Sequence, residues 1–263
     1  MICWRSRTRQ RLGKVHSLKP IQLAKPPIRE AVFDIQIEGA VDFDQVKELA
    51  EAYGKELGLK KVTPIRAGIF GVTMLPGRPF QTHAHDEGVI GLRIEDEPST
   101  QIVQFRKNGF TYSCTGTYDD WSAFRGRALQ PARRFLALPG VKRITRIALR
   151  YINVIQFPNL PVNLDDYLPA APKVPGNLPQ VVSGFISRVV IAIPEDQLTA
   201  VVTQASEEVP PPVASVTLDI DVSRTLSLPA GDVSWEPMFE TIREWKNKIF
   251  FEYVNEKTVD LYK

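Results

Sequence analysis

Cysteine is nearly missing from this chain, with two in 263 residues, Cys3 and Cys114. Neither belongs to a Cys-x-x-Cys pair, so a disulfide framework is not expected and a reducing cytoplasm is the natural compartment. No apolar run approaches the roughly 18 residues of a membrane-spanning helix, so no membrane association is expected. The Gly-x-Ser-x-Gly elbow, the Gly-x-x-x-x-Gly-Lys-Ser/Thr phosphate loop and the Gly-x-Gly-x-x-Gly dinucleotide turn are all absent. The common hydrolase, nucleotide-triphosphatase and dinucleotide routes therefore lack support, and no cofactor is expected. Acidic residues are missing from one region only. The first 25 positions hold seven of the 33 Lys/Arg and none of the 30 Asp/Glu, which leaves the rest of the chain net acidic.

That basic stretch carries Arg5, Arg7, Arg9 and Arg11 at alternate positions with no apolar segment behind them, so it is not a secretory signal. Residues 1–25 read as a disordered arm or an over-extended gene start. Their functional readings are a phosphate-seeking tail for nucleic acid and, more weakly, an organellar transit peptide. The whole chain is 43% hydrophobic, enough for a sizeable core, and its 21 prolines make it rich in loops.

The longest regular pattern runs from Ile144 to Phe157 with a period of two. Ile147, Leu149, Tyr151, Asn153, Ile155 and Phe157 share one face, and Arg146, Ala148, Arg150, Ile152, Val154 and Gln156 the other, as in a central strand. Ile28 to Glu38 alternates in the same way after Pro26-Pro27. Asp42 or Asp44 caps a helix to about Leu57 that Gly58 stops, and Asp119 or Asp120 caps a second with Trp121, Phe124, Ala128, Leu129, Ala132 and Phe135 inward. Residues 61–80 read as short strands in an irregular connection, and Asn108-Gly109 as the tight turn of a hairpin. After the long strand come a short segment at 165–168, strands at 181–193, 200–204 and 215–222, and a helix with Trp235, Met238, Phe239, Ile242, Trp245 and Ile249 on one side. The expected fold is α+β, a mainly antiparallel sheet with helices on one face. Two halves, 26–140 and 141–263, share that sheet. Their common order of strand, helix, strands and Trp-led helix reads as an internal duplication, echoed in Asp119–Phe124 and Val233–Phe239.

Four ordered patches carry a resemblance: Lys25-Pro-Pro-Ile-Arg-Glu-Ala31, Tyr118 with Trp121 and Phe124, Leu149-Arg-Tyr-Ile-Asn153, and Trp245-Lys-Asn-Lys-Ile-Phe-Phe251. Together they resemble a sporadically distributed family of prokaryotic proteins with no assigned activity, over Pro26 to about Tyr253. The resemblance implies a stand-alone bacterial protein of patchy occurrence, of a kind often carried by mobile or defence-linked gene clusters. It implies no catalytic residue.

Two residue groups are candidate sites. His83 and His85, beside Asp86 and Glu87, are of metal-ligand type in an expected loop, without a further ligand source. Arg146, Arg150, Tyr151 and Asn153 form a candidate ligand or partner face; alternatively, Arg150 pairs with Glu30 or Asp34 and Asn153 satisfies backbone. Lys246-Asn247 is expected to close the last helix on its solvent side. These readings favour a non-catalytic binding or regulatory protein that recognises another protein. Nucleic-acid binding through the arm and the Arg146/Arg150 face is the alternative, followed by an enzyme with an unrecognised site. Nucleic-acid affinity carried by the arm is expected to fall steeply with salt and to vanish in a chain starting at Lys25. Equal low-salt affinity of the two chains in a fluorescence-anisotropy titration would show that the arm is not responsible.

Overall fold

The computed structural model describes residues 21–58, 61–73, 81–157, 162–180, 182–207 and 214–263, with 69–73 and 81–85 as backbone only. Its centre is the period-two segment, here β6 (Val141–Phe157), whose buried positions include Ile147, Leu149, Tyr151, Asn153, Ile155 and Phe157. The first alternating stretch, β1 (Ile28–Gly39), pairs with it antiparallel, Phe33 opposite Leu149 and Ile35 opposite Ile147. Phe33, Ile35, Leu149 and Ile147 are wholly buried, because strand alternation sends them all to one face.

From β1 the chain enters α1 (Phe43–Leu57), where the Asp42 carboxylate accepts from the Asp44 N–H at 2.7 Å and left-handed Gly58 closes the end. The strands β2 (Lys61–Thr73), β3 (Gln81–Glu95), β4 (Gln101–Arg106) and β5 (Gly109–Cys114) follow, then α2 (Trp121–Leu136). After β6 come a short 3-10 turn at Leu164–Asp166, β7 (Ile186–Ile193), β8 (Leu198–Ser206), β9 (Ala214–Pro229), α3 (Trp235–Tyr253) and α4 (Glu256–Asp260). Among the described residues the strands make one nine-stranded antiparallel sheet in the order β2-β3-β4-β5-β1-β6-β9-β8-β7. The fold is α+β as expected. Read outward from the β1/β6 junction, both halves place their first strand innermost and their last strand next. The second half has a single 3-10 turn where the first has α1.

The three long helices cover one face of the sheet. α1 lies over β3 and β4, α2 over β5 and β1, and α3 over β9 and β6. The Phe33 and Phe239 rings stack at 3.9 Å between centroids, and Trp235 meets Phe239 edge-on at 6.0 Å, so α3 is fastened to β1 and not only to its own half. Asp120 caps α2 through the Ala123 N–H at 2.8 Å, and the helix runs through Pro131.

Several local expectations change. Residues 61–73 form one continuous strand, because β3 pairs with β2 along its whole length. The residues expected as a loop around His83 and His85 belong to β3. The β4–β5 turn is Lys107-Asn108, and Gly109 is already a paired strand residue; a side chain there would run into the Ile35 carbonyl oxygen. Gly39 and Gly140, both with positive φ, face each other where the chain leaves β1 and approaches β6. Each would drive a side chain into the opposing backbone carbonyl, and the Ala40 N–H donates to the Gly140 carbonyl at 3.0 Å.

The ridge of α3 also differs in one residue. Trp235, Phe239, Ile242 and Ile249 are buried, whereas Trp245 is half-buried at the margin, its indole Nε1 donating to Asp196 Oδ2 at 2.6 Å. Substituting Phe239→Ala is therefore expected to cost about 3–5 kcal/mol, the usual range for a deleted core ring. Trp245→Ala, which removes one hydrogen bond and a partial burial, should cost about 1–3 kcal/mol. Chemical-denaturation midpoints of the two variants check the order; a larger loss at Trp245 would reverse it.

Candidate functional site

Where β1 begins, its ladder to β6 is irregular. Ile28 lies opposite Asn153, the register shifts before Glu30, and the Val154 N–H donates to the Pro27 carbonyl at 2.8 Å. Pro26 and Pro27 hold the lead-in extended beside the end of β6. α3 passes on one side, and the segment before α2 on the other. Between them lies a cleft of about 330 Å³, lined among others by Leu23, Pro26, Pro27, Tyr118, Trp121, Asn153, Arg243, Lys246, Asn247, Phe250 and Phe251. All four sequence patches named above thus contribute to one cavity, although they lie in four distant parts of the chain.

Lys246 is the unusual member. Residues 235, 239, 242, 246 and 249 fall on the inward stripe of α3, so this lysine occupies a position where the rest of the stripe is apolar. It is half-buried, and its Nζ lies 3.8 Å from the centroid of the Tyr151 ring. Burial of the ammonium, with the like charge of Arg243 adding to it, brings the Lys246 pKa down to about 7. The Tyr151 ring face supplies the attraction that favours the charged form.

The surrounding groups are fixed. The Tyr151 and Tyr118 hydroxyls share a 3.0 Å hydrogen bond, and burial raises both phenol pKa values, so both stay neutral. Asn153 donates through Nδ2 to the carbonyls of Tyr151 at 3.2 Å and Leu218 at 3.0 Å, which leaves its carboxamide oxygen as the group it can offer the cleft. Trp121 Nε1 donates to both Glu240 oxygens at 2.8 and 3.0 Å, and the Arg243 guanidinium lies 5.7 Å from the Trp121 ring centroid. The two carboxylates at the rim are committed elsewhere: Asp119 to Arg127 at 3.2 Å, and Asp120 to the start of α2. The cleft is thus an aromatic and proline-walled cavity lined also by Lys246, by the carboxamides of Asn153 and Asn247, and by Arg243, which makes a loose 3.7 Å ion pair with Glu240.

The sequence-chosen face is divided by the sheet. Asn153 lines the cleft, and Tyr151 lies buried beneath it against Lys246. Arg146 and Arg150 lie on the face opposite the three long helices and are held by in-sheet carboxylates. Arg146 bridges Asp34 at 3.3 Å and Asp221 at 2.9 Å, while Arg150 makes a forked contact with Asp219, not with Glu30 or Asp34. A free basic stripe is therefore not what these two arginines form. Lys246 and Asn247, expected as a solvent-side helix end, sit inside α3 and line the cleft instead. His83 pairs with Gly71 and His85 with Ile69 in the β2–β3 ladder; their side chains lie outside the described residues. Among the described residues no group of three metal-ligand side chains occurs. Arg5, Arg7, Arg9 and Arg11 lie outside the described residues as well. The chain matches no family model and no curated protein.

A lysine pKa lowered by folding makes stability depend on pH with a definite sign. Above the ordinary lysine pKa the group is neutral in both states and costs nothing. As pH falls toward about 7 the unfolded chain takes up a proton that the folded chain refuses, so stability is lost across this window. Below it the penalty is constant. Lys246→Met should accordingly stabilise the protein relative to wild type, by a margin that grows from pH 10 to about 7 and then levels, at up to about 1.4 kcal/mol per pKa unit. Urea midpoints of both proteins across that range test this; a margin independent of pH would contradict it.

Proposed function

We propose that this is a non-catalytic recognition protein whose cleft at the β1/β6/α3 junction receives an anionic group of a partner protein. The observation that carries the reading is Lys246, without an ion pair among the described residues, beside Arg243, whose contact with Glu240 is a loose 3.7 Å, in an aromatic cavity whose rim carboxylates Asp119 and Asp120 are engaged elsewhere. A buried cation without a buried counter-charge is costly, and an incoming carboxylate or phosphate offsets that cost. Trp121, Tyr118 and Phe250 supply apolar surface of the kind that anchors binding hot spots. The volume suits one or two side chains or a short chain end. The resemblance to a patchily distributed prokaryotic family agrees with a module that acts on a partner encoded nearby, as in mobile or defence-linked clusters.

The sheet face opposite the three long helices is the competing surface, and its arginines are internally neutralised. Co-purification from the native host separates the two. Arg243→Glu should abolish retention of the partner at an unchanged melting temperature, and Arg150→Ala should leave retention intact. The reverse pattern would move the binding surface to the sheet and overturn this reading.

A further inference from the structure

Lys246 combines three properties. It opens onto a cleft, it has no carboxylate partner among the described residues, and it lies three residues from Arg243, hence on the same side of α3. We infer that the Lys246 amine is a carbonyl-capturing site, taking small aldehydes or ketones that carry a carboxylate, with Arg243 holding the carboxylate. This goes beyond the recognition reading and does not rest on it, because the amine, the arginine and the cavity all belong to this chain.

The chemistry is imine formation. The neutral amine donates its electron pair to the carbonyl carbon, a C–N bond forms, and the carbonyl oxygen takes up a proton. The amine gives up its two protons overall, one to that oxygen in the carbinolamine and the second as the C–O bond breaks, so the oxygen leaves as water and the C=N bond forms. Desolvation and the adjacent guanidinium make a neutral amine available near pH 7, as they do for other lysines set beside a second cation. The groups facing Nζ suit the reaction. The Tyr151 ring covers one side, with the Tyr118–Tyr151 hydroxyl pair at that ring's edge. The rim carboxylates Asp119 and Asp120 are engaged by Arg127 and the start of α2, and Glu240 is held by Trp121 at 2.8 Å, so that its 3.7 Å contact with Arg243 is the one an incoming carboxylate would replace.

Reductive trapping tests this on the full chain. Glyoxylate is added at pH 7 with cyanoborohydride, which delivers hydride to the imine and fixes it as a carboxymethyl amine, and peptides are then read by mass spectrometry. The adduct at Lys246 should exceed that at the exposed Lys55 and Lys142 by at least about tenfold, since those amines are almost fully protonated at this pH. Acetaldehyde, which lacks the carboxylate, should label Lys246 less than glyoxylate does. In Arg243→Gln, checked for an unchanged melting temperature, that preference should disappear while acetaldehyde labelling at Lys246 still exceeds the surface lysines. Labelling of Lys246 no greater than that of Lys55 would overturn the site. Persistence of the glyoxylate preference in Arg243→Gln would overturn the role given to the arginine. Partner binding is not read in any arm, so failure here and failure of the recognition reading are separately visible.

Discussion

The β1–β6 ladder is the interaction on which the other parts depend. It joins the two halves into one sheet, sets Phe33 beneath Phe239 so that α3 is shared, and carries the lead-in prolines to the end of β6. The register decides what the sheet faces hold. With Phe33 opposite Leu149 and Val32 opposite Arg150, one face collects aromatic and aliphatic side chains while the other collects charge. A slip of one residue would exchange the two sets, burying Arg146 and Arg150 under the helices and sending Tyr151 to solvent.

The charged face is itself organised. Asp34, Arg106, Arg146 and Asp221 form a continuous chain of contacts across β4, β1, β6 and β9, and Arg150 with Asp219 adds a second rung. Asp221, partly withdrawn from water, has its carboxyl pKa raised by burial despite Arg146. Charges paired in this way across strands contribute to strand choice as well as to stability, because a one-residue slip would carry the carboxylates and the arginines to opposite faces of the sheet. This is the physical reason why the sheet face is poor ground for an anionic ligand, whereas Lys246 at the cleft has no ion pair among the described residues.

Much of the scaffold was legible because it rests on period and punctuation. The alternation of β1 and β6, the caps Asp42 and Asp120, the stop at Gly58 and the aromatic stripe of α2 each follow from local rules. What was not legible required tertiary contact. Residues 61–73 look broken by Pro64 and two glycines, yet pairing with β3 makes them one strand. Lys107-Asn108 rather than Asn108-Gly109 forms the turn, because Gly109 is needed where the Ile35 carbonyl passes close by. The cleft was half visible. Tyr151 and Asn153 stand out as polar residues on an apolar strand face. Lys246 was hidden by Trp245, which reads as the more natural core residue. Counting 235, 239, 242, 246 and 249 along α3 places the lysine in the stripe and the tryptophan at its edge, a signal that a bulky neighbour can mask.

The facing glycines Gly39 and Gly140 give the central ladder unequal ends. At that end two backbones touch with no side chain between them and are tied by the Ala40-to-Gly140 hydrogen bond. At the other end lie the bulge near Ile28 and the open cavity. The ladder shifts register at both ends, between Ile28 and Glu30 and again between Gln36 and Gly39, but it is the cleft end of the β1–β6 seam that borders this cavity. A molecule seated against Pro27 and Asn153 would act as a clasp on that seam, and its grip would be felt through Phe33 and Phe239 as far as the body of α3.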